Sequence, residues 1–114
     1  MTVKYETLHA GEFLLSEGAG KISRESILVA AGAALNAGQV LGLIAASNEF
    51  APYDPVAVDG TEMAACILYG PLGESTEERR ASAVVRLAEV SEVHLIGLDA
   101  EAEVSLAAQF VIVR

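Results

Sequence analysis

The chain of 114 residues predicts a mainly β fold with minor α content, made of short strands and bent ribbons, and three observations predict it. Between Ile27 and Gly70 the residues are small or β-branched, punctuated by Gly32, Gly38, Gly42, Gly60 and Gly70, with Asn36, Asn48 and Asp59 as further turn formers. Such residues admit the backbone angles of sharp reversals. The pieces between the turns have strand length and strand composition. The same stretch carries almost no reactive side chains, which points to binding rather than catalysis.

Taken in order, residues 1–20 (MTVKYETLHAGEFLLSEGAG) are mixed in charge and read as a flexible N-terminal arm joined to a folded domain over 21–114. Frayed termini are common, but three consecutive large apolar residues, Phe13-Leu14-Leu15, want burial, here against a partner. From Ile22 the folded part begins, with Ser23, Arg24 and Glu25 placed near the surface ahead of a strand over Ser26 to Ala31. Gln39 to Ile44 reads as the next strand. Asn48 to Pro55 carries two of the three prolines, which restrict pairing, so it reads as an exposed strand followed by a loop. Asp59-Gly60 turns the chain into a strand over Met63 to Tyr69.

Beyond Gly70 the segment PLGESTEERR is polar, and Ser75 followed by Glu78 fits a capping box, so either one helical turn or a solvated loop is expected there. Ala83 to Val90 resumes strand character, and SEVHLIG is strand-like. Asp99 caps a short helix through about Ala108, with Ala100, Val104, Ala107 and Ala108 on one face. Phe110 to Val113 reads as a closing strand. No internal repeat, heptad pattern or low-complexity tract interrupts this single domain.

Composition narrows the function. Hydrophobic residues make up 53% of the chain with no Trp, three Phe and three Tyr, so the core is aliphatic and alanine-rich; small cores of this kind leave apolar area for a partner. Ile27 to Ser47 is uncharged and near bilayer length, but its three glycines, Asn36 and Gln39 argue against a membrane span. No secretory leader is visible in Met1 to Glu12, which fits a soluble product of the cytoplasm. Sixteen acidic against seven basic residues, with no basic cluster longer than Arg79-Arg80, exclude sequence-independent binding to nucleic acid.

Candidate chemistry is sparse. The lone Cys66 lies in the apolar run AACILYG and reads as a small buried hydrophobe; a nucleophile would need His9 or His94 beside it. A carrier or adaptor β-barrel is suggested by the rhythm AGAALNAGQVLGLI, but acylation requires a lysine on a hairpin, and only Lys4 and Lys21 exist, both N-terminal to that rhythm. A nucleotide hydrolase would use Asp54, Asp59 and Glu62 to hold Mg²⁺, yet carboxylates are ordinary at turns. No catalytic, cofactor-binding or metal-ligating residue is therefore assigned.

GEFLLSEG, SRE before the ILVAAG strand, L-x-AG-x-VLG-x-I, APYDP, AA-x-ILYG, the strand AVVRLAEV and a terminal VIVR occur in this order. The ordered set resembles the head-decoration proteins of lambda-like tailed phages over nearly the whole chain. The resemblance implies a β-clip-like small barrel forming homotrimers at three-fold and quasi-three-fold positions on the outer surface of the expanded capsid. There it would act as a cement against the pressure of packaged DNA, after synthesis in the bacterial host cytoplasm. It also implies the major capsid protein as partner and gives the arm a destination: Gly11, Glu12, Phe13, Leu14, Leu15 and Ser16 would pair with a capsid sheet edge, with Phe13 and Leu15 pointing one way and Leu14 the other. Removing residues 1–15 is then expected to leave a folded trimer that no longer decorates. Pro52, Tyr53, Asp54 and Arg86 are the candidate trimer contacts, because Tyr and Arg are favoured interface anchors.

Overall fold

The structure, a computed structural model, describes residues 9–20 and 22–114. Eight strands and one α-helix follow in the order β1 (Leu14–Glu17), β2 (Arg24–Val29), β3 (Val40–Ile44), β4 (Glu49–Pro52), β5 (Ala64–Leu68), β6 (Arg79–Val84), β7 (Ala88–Val90), a 3-10 turn (Glu92–His94), α1 (Ala100–Ala107) and β8 (Val111–Val113). The mainly β architecture with a small barrel is as the sequence predicts.

Five strands close into a barrel in the order β2-β4-β3-β5-β6. The longest ladder joins β2 and β6 antiparallel, from Arg24 opposite Val84 to Val29 opposite Arg79. The closing contact is a single parallel pairing of Val29 with Phe50, reinforced by the Ala30 N–H donating to the Phe50 carbonyl at 2.8 Å. Closure leaves the barrel no free edge. Between β3 and β5 the register slips after Leu41, which pairs with Cys66 while Gly42 pairs with Ala64, so Ala65 bulges out. A bulge bends a strand locally, and Gly42 is the residue that lets the bent β3 pass under the Thr61–Met63 backbone. A Cβ there would lie 2.6 Å from the Thr61 Cα.

The remaining strands form a second sheet in the order β1-β7-β8, with β1 antiparallel and β8 parallel to β7. Helix α1 packs on β5 and β8. This places a layer between the barrel and the second sheet, and successive residues of the shared strands face alternate cores. Leu41, Cys66, Leu68 and Ala83 belong to the barrel interior with Ile27 and Val29. Val40, Ala64, Ile67 and Val84 face the other way, into a cluster with Phe13, Val90, Ala102, Leu106 and Val111. Strands covered on both faces need apolar residues at every position instead of every second one. That is why AACIL and VL read as continuous apolar runs.

Several expectations are corrected. The single strand over Ala83 to Val90 is two, β6 and β7, because residues 85–87 carry the chain from barrel to second sheet; Leu87 adopts φ 53° and its carbonyl accepts from the Gly18 N–H at 2.8 Å. SEVHLIG is a 3-10 turn and an isolated bridge of Ile96 to Gln39, not a strand. PLGESTEERR has no helical turn: Ser75 bridges to Gly32, its hydroxyl accepts from the Glu77 N–H at 3.0 Å, and Arg79-Arg80 already begin β6. Ser23 is fully buried, its hydroxyl donating to Glu17. Strand β4 is half-buried and paired on both sides, not an exposed strand.

Helix α1 forms where Asp99 predicts it, with the Asp99 carboxylate accepting from the Ala102 N–H at 2.7 Å. Its buried face is Ala102 and Leu106, however, whereas Ala100, Val104, Ala107 and Ala108 are exposed. Four alanines in the segment satisfy two stripes equally well, and the large Leu106 decides which one turns inward.

Candidate functional site

The N-terminal segment is held by backbone first. Gly11 sits at φ 71° and donates to the Tyr69 carbonyl at 2.8 Å; a Cβ at this position would meet the Tyr69 ring at 2.8 Å. The Phe13 carbonyl accepts from the Ser91 N–H at 2.8 Å, and the Phe13 ring lies fully buried in the larger core. Glu12 is exposed and its carboxylate accepts from the His9 N–H. In β1 the register slips between Leu14, opposite Val90, and Ser16, opposite Glu89. The extra residue at this bulge is Leu15, 57% exposed. The bulge breaks strict alternation, so Phe13 and Leu15 do not share a face as expected.

A charged clamp closes the end of β1. The Glu17 carboxylate accepts from the Arg24 guanidinium through both Nε and Nη2 and from the Ser23 hydroxyl. These bonds, the one to Arg24 above all, hold the Glu17 carboxyl below its ordinary value. Arg24 in turn lies over the Tyr69 ring with its guanidinium carbon 4.2 Å from the centroid, a cation–π contact. Residues 9–20 of the expected arm are therefore part of the fold, and the boundary drawn at residue 20 crosses a hydrogen-bonded clamp. Residues 1–8 of that arm lie outside the described residues, as do Lys4 and Lys21.

The candidate trimer contacts part company. Tyr53 is buried, and its hydroxyl donates to both Asp99 carboxylate oxygens at 2.9 Å, tying β4 to the cap of α1. Burial first, then the Asp99 hydrogen bond and the neighbouring carboxylates push this phenol up to about 12. An anchor spent inside the chain is not offered to a partner, which corrects its reading as an exposed contact. Pro52 and Asp54 are exposed; Asp54 accepts from the Val56 N–H at 3.1 Å and stiffens the loop. Arg86 is half-buried, donating to the Ile22 carbonyl and to Glu25, each at 2.7 Å.

The residues weighed for chemistry have local partners. Asp59 accepts from the backbone and hydroxyl of Thr61, and Glu62 accepts from the Gly60 N–H. Among the described residues no group of three or more His, Cys, Asp or Glu side chains can hold a metal ion. Cys66 is fully buried in the barrel interior, where burial pushes its thiol up to about 12. Such a thiol is inert at neutral pH.

One surface has no counterpart in the residues picked out from the sequence. Phe110 is 66% exposed at φ 63° and Leu87 is exposed at φ 53°, joined by the Ala88 N–H donating to the Phe110 carbonyl at 3.1 Å. A groove runs along each side of the Phe110 ring: one bounded by Leu43, Phe50 and Val85, the other by Leu87, Ala88 and Ile112. Bulky residues at positive φ are genuine outliers, and no local pattern in the sequence announces them.

Comparison with known proteins gives one family. The family model described as bacteriophage lambda head decoration protein D matches residues 3–111 of the 114. No curated protein matches the chain.

Proposed function

This chain belongs to the bacteriophage lambda head decoration protein D family, whose members are structural proteins of the phage capsid, and from that membership we propose that it cements the expanded head as a homotrimer. It is a capsid decoration protein of the virion. In the proposed arrangement, trimers sit on the outer surface at three-fold and quasi-three-fold positions, touch the major capsid protein and oppose the pressure of packaged DNA. The protein has no catalytic role, contacts no nucleic acid and is made in the host cytoplasm. An acidic chain that stays outside the shell never meets the genome, so its charge is no obstacle.

The observation that carries the attachment reading is the free edge of β1. Strand β1 pairs only with β7, and the neighbouring Leu15 stands out at the bulge. An unpaired strand edge with one exposed apolar side chain is the template that strand addition uses. Within Gly11 to Ser16, the backbone edge, Leu15 and Ser16 face a capsid partner, while Phe13 keeps the segment on the barrel. Three such edges per trimer gain about 10²- to 10⁴-fold in avidity where geometry lets them bind together.

Co-sedimentation with expanded capsids and unexpanded procapsids tests this reading. Removing residues 1–15 is the wrong perturbation, since it strips Phe13 from the core. The full-length chain carrying Leu15→Asp is the informative one: wild type pellets with expanded shells only, and Leu15→Asp stays in the supernatant with an unchanged circular dichroism spectrum. Failure of the wild-type chain to bind expanded shells refutes decoration, and undiminished binding by Leu15→Asp refutes attachment at the β1 edge.

A further inference from the structure

Two left-handed, exposed apolar residues side by side require an explanation. Outside glycine, each such residue costs of order 1–2 kcal/mol in backbone strain. Exposing Leu87 and Phe110 gains nothing from the hydrophobic effect in the free chain. Strain of this kind persists where a surrounding structure over-determines it, and it concentrates at functional surfaces. Here the surrounding structure is the crossing from barrel to second sheet on one side and from α1 to β8 on the other.

Charge says what covers the patch. The chain carries a net charge of −9, so copies of it repel wherever carboxylates are unbalanced. Around Phe110 they are balanced. Glu25, Glu17 and Glu89 line the two grooves beside the ring, and each is paired, with Arg86, Arg24 and Arg114 respectively. Elsewhere the acids crowd one another: Glu78 hydrogen-bonds to Glu49, and that contact holds its carboxyl above the ordinary value. An apolar patch rimmed by neutralised carboxylates is the part of an acidic molecule that a second copy of the same molecule approaches at least electrostatic cost.

Resting on the trimeric reading above, we infer that the Leu87–Phe110–Ile112 patch is the contact between copies, with Phe110 of one copy seated in the groove bounded by Leu43, Phe50 and Val85 of the next. Ring and groove are different features of the same surface. A head-to-tail contact of non-identical features is what a closed ring of three requires, whereas a two-fold dimer would match a patch with itself. Phe110 is then the buried aromatic anchor, and the Arg–Glu pairs form a polar rim.

Glycine separates contact from scaffold at these positions, since φ near +60° costs glycine nothing. Sedimentation equilibrium is run on the full-length wild type, on Phe110→Gly, on Leu87→Gly and on Val58→Ser, a substitution at an exposed loop residue outside the patch. Thermal unfolding is followed alongside. The expected result is a trimeric wild type and Val58→Ser, with Phe110→Gly and Leu87→Gly falling to one third of that mass while keeping a folded far-ultraviolet spectrum.

A trimeric wild type whose Phe110→Gly variant is also trimeric overturns this contact and leaves the trimer standing. Dissociation by Val58→Ser alone moves the contact to the 54–62 loop and overturns it too. A Phe110→Gly trimer that no longer pellets with expanded shells assigns the patch to the capsid instead. A wild type that sediments as a monomer removes the trimer reading and this contact together.

Discussion

The barrel and the second sheet are built from the same aliphatic residues, yet they solve the edge problem in opposite ways. In the barrel every strand has two neighbours, and the polar backbone is consumed internally. In the second sheet β1 and β8 each have one neighbour, and exposed apolar side chains gather there: Leu15 on β1, Ile112 on β8, and Phe110 and Leu87 at the strand ends. A closed sheet offers no template for a partner, whereas an open one does. Scaffold and contact surface are thus separated within one small domain, with the barrel as the rigid part and the open sheet as the part that meets other chains.

The largest test of this division removes Phe13, the side chain that joins the open sheet to the shared core. Phe13→Ala is expected to cost about 3–5 kcal/mol, as truncating a fully buried aromatic does, read as a lower urea midpoint. Hydrogen exchange should show β1 and β7 losing protection before the barrel strands. Uniform loss across both sheets would mean that the two regions are one cooperative unit.

Striking at the barrel itself comes next. Gly42→Ala drives a Cβ into the Thr61 and Met63 backbone, an overpacking penalty of about 1–3 kcal/mol. The expected readout is a lower thermal midpoint with the β2–β6 ladder weakened along with β3, since closure couples all five strands. A midpoint equal to wild type would show that the strand bend has room to spare.

Asp99→Ala is smaller, about 1 kcal/mol for a lost helix cap. Because Asp99 also accepts the Tyr53 hydroxyl, the effect should reach the 53–61 loop and be visible as faster amide exchange at Thr61. Exchange confined to the first turn of α1 would limit Asp99 to capping.

The smallest effect is on pH dependence. The Glu17 carboxyl is held below its ordinary value in the native chain, so the native state binds fewer protons there than the unfolded state. Its contribution is fully present above the ordinary glutamate range and is lost as pH falls through the lowered native value. Glu17→Gln is expected to flatten the acid limb of the stability curve measured by urea unfolding. An acid limb of unchanged slope would remove Glu17 from the account.

Much of the fold was legible because it rests on local chemistry. The glycine and asparagine turns delimited β2 to β5, and Asp99 marked the start of α1. The shared strands were harder, since residues facing two cores lose the period-2 signal, so VL and AACIL identify burial without saying which core each side chain enters. Residues 85–87 continue a strand-like pattern and are a crossing only because β6 and β7 belong to different sheets. Tyr53 has the composition of an interface anchor; its burial depends on Asp99, distant in sequence. Leu87, Phe110 and Ile112 went unseen because exposure at positive φ is imposed on them by the elements they connect.

By itself, the sequence determined the class of the molecule: an acidic, aliphatic, mainly β chain with sparse chemistry and the ordered motifs of a head decoration protein. Turn propensity, strand propensity and helix capping are properties of neighbouring residues, and they act before any tertiary contact forms. Only the tertiary structure decided that five strands close and three stay open, that Phe13 is core and Leu15 is surface, and that the acids around Phe110 are neutralised. Those outcomes depend on pairings between distant residues, such as Val29 with Phe50 and Glu17 with Arg24, and no local window of sequence contains both partners and their geometry.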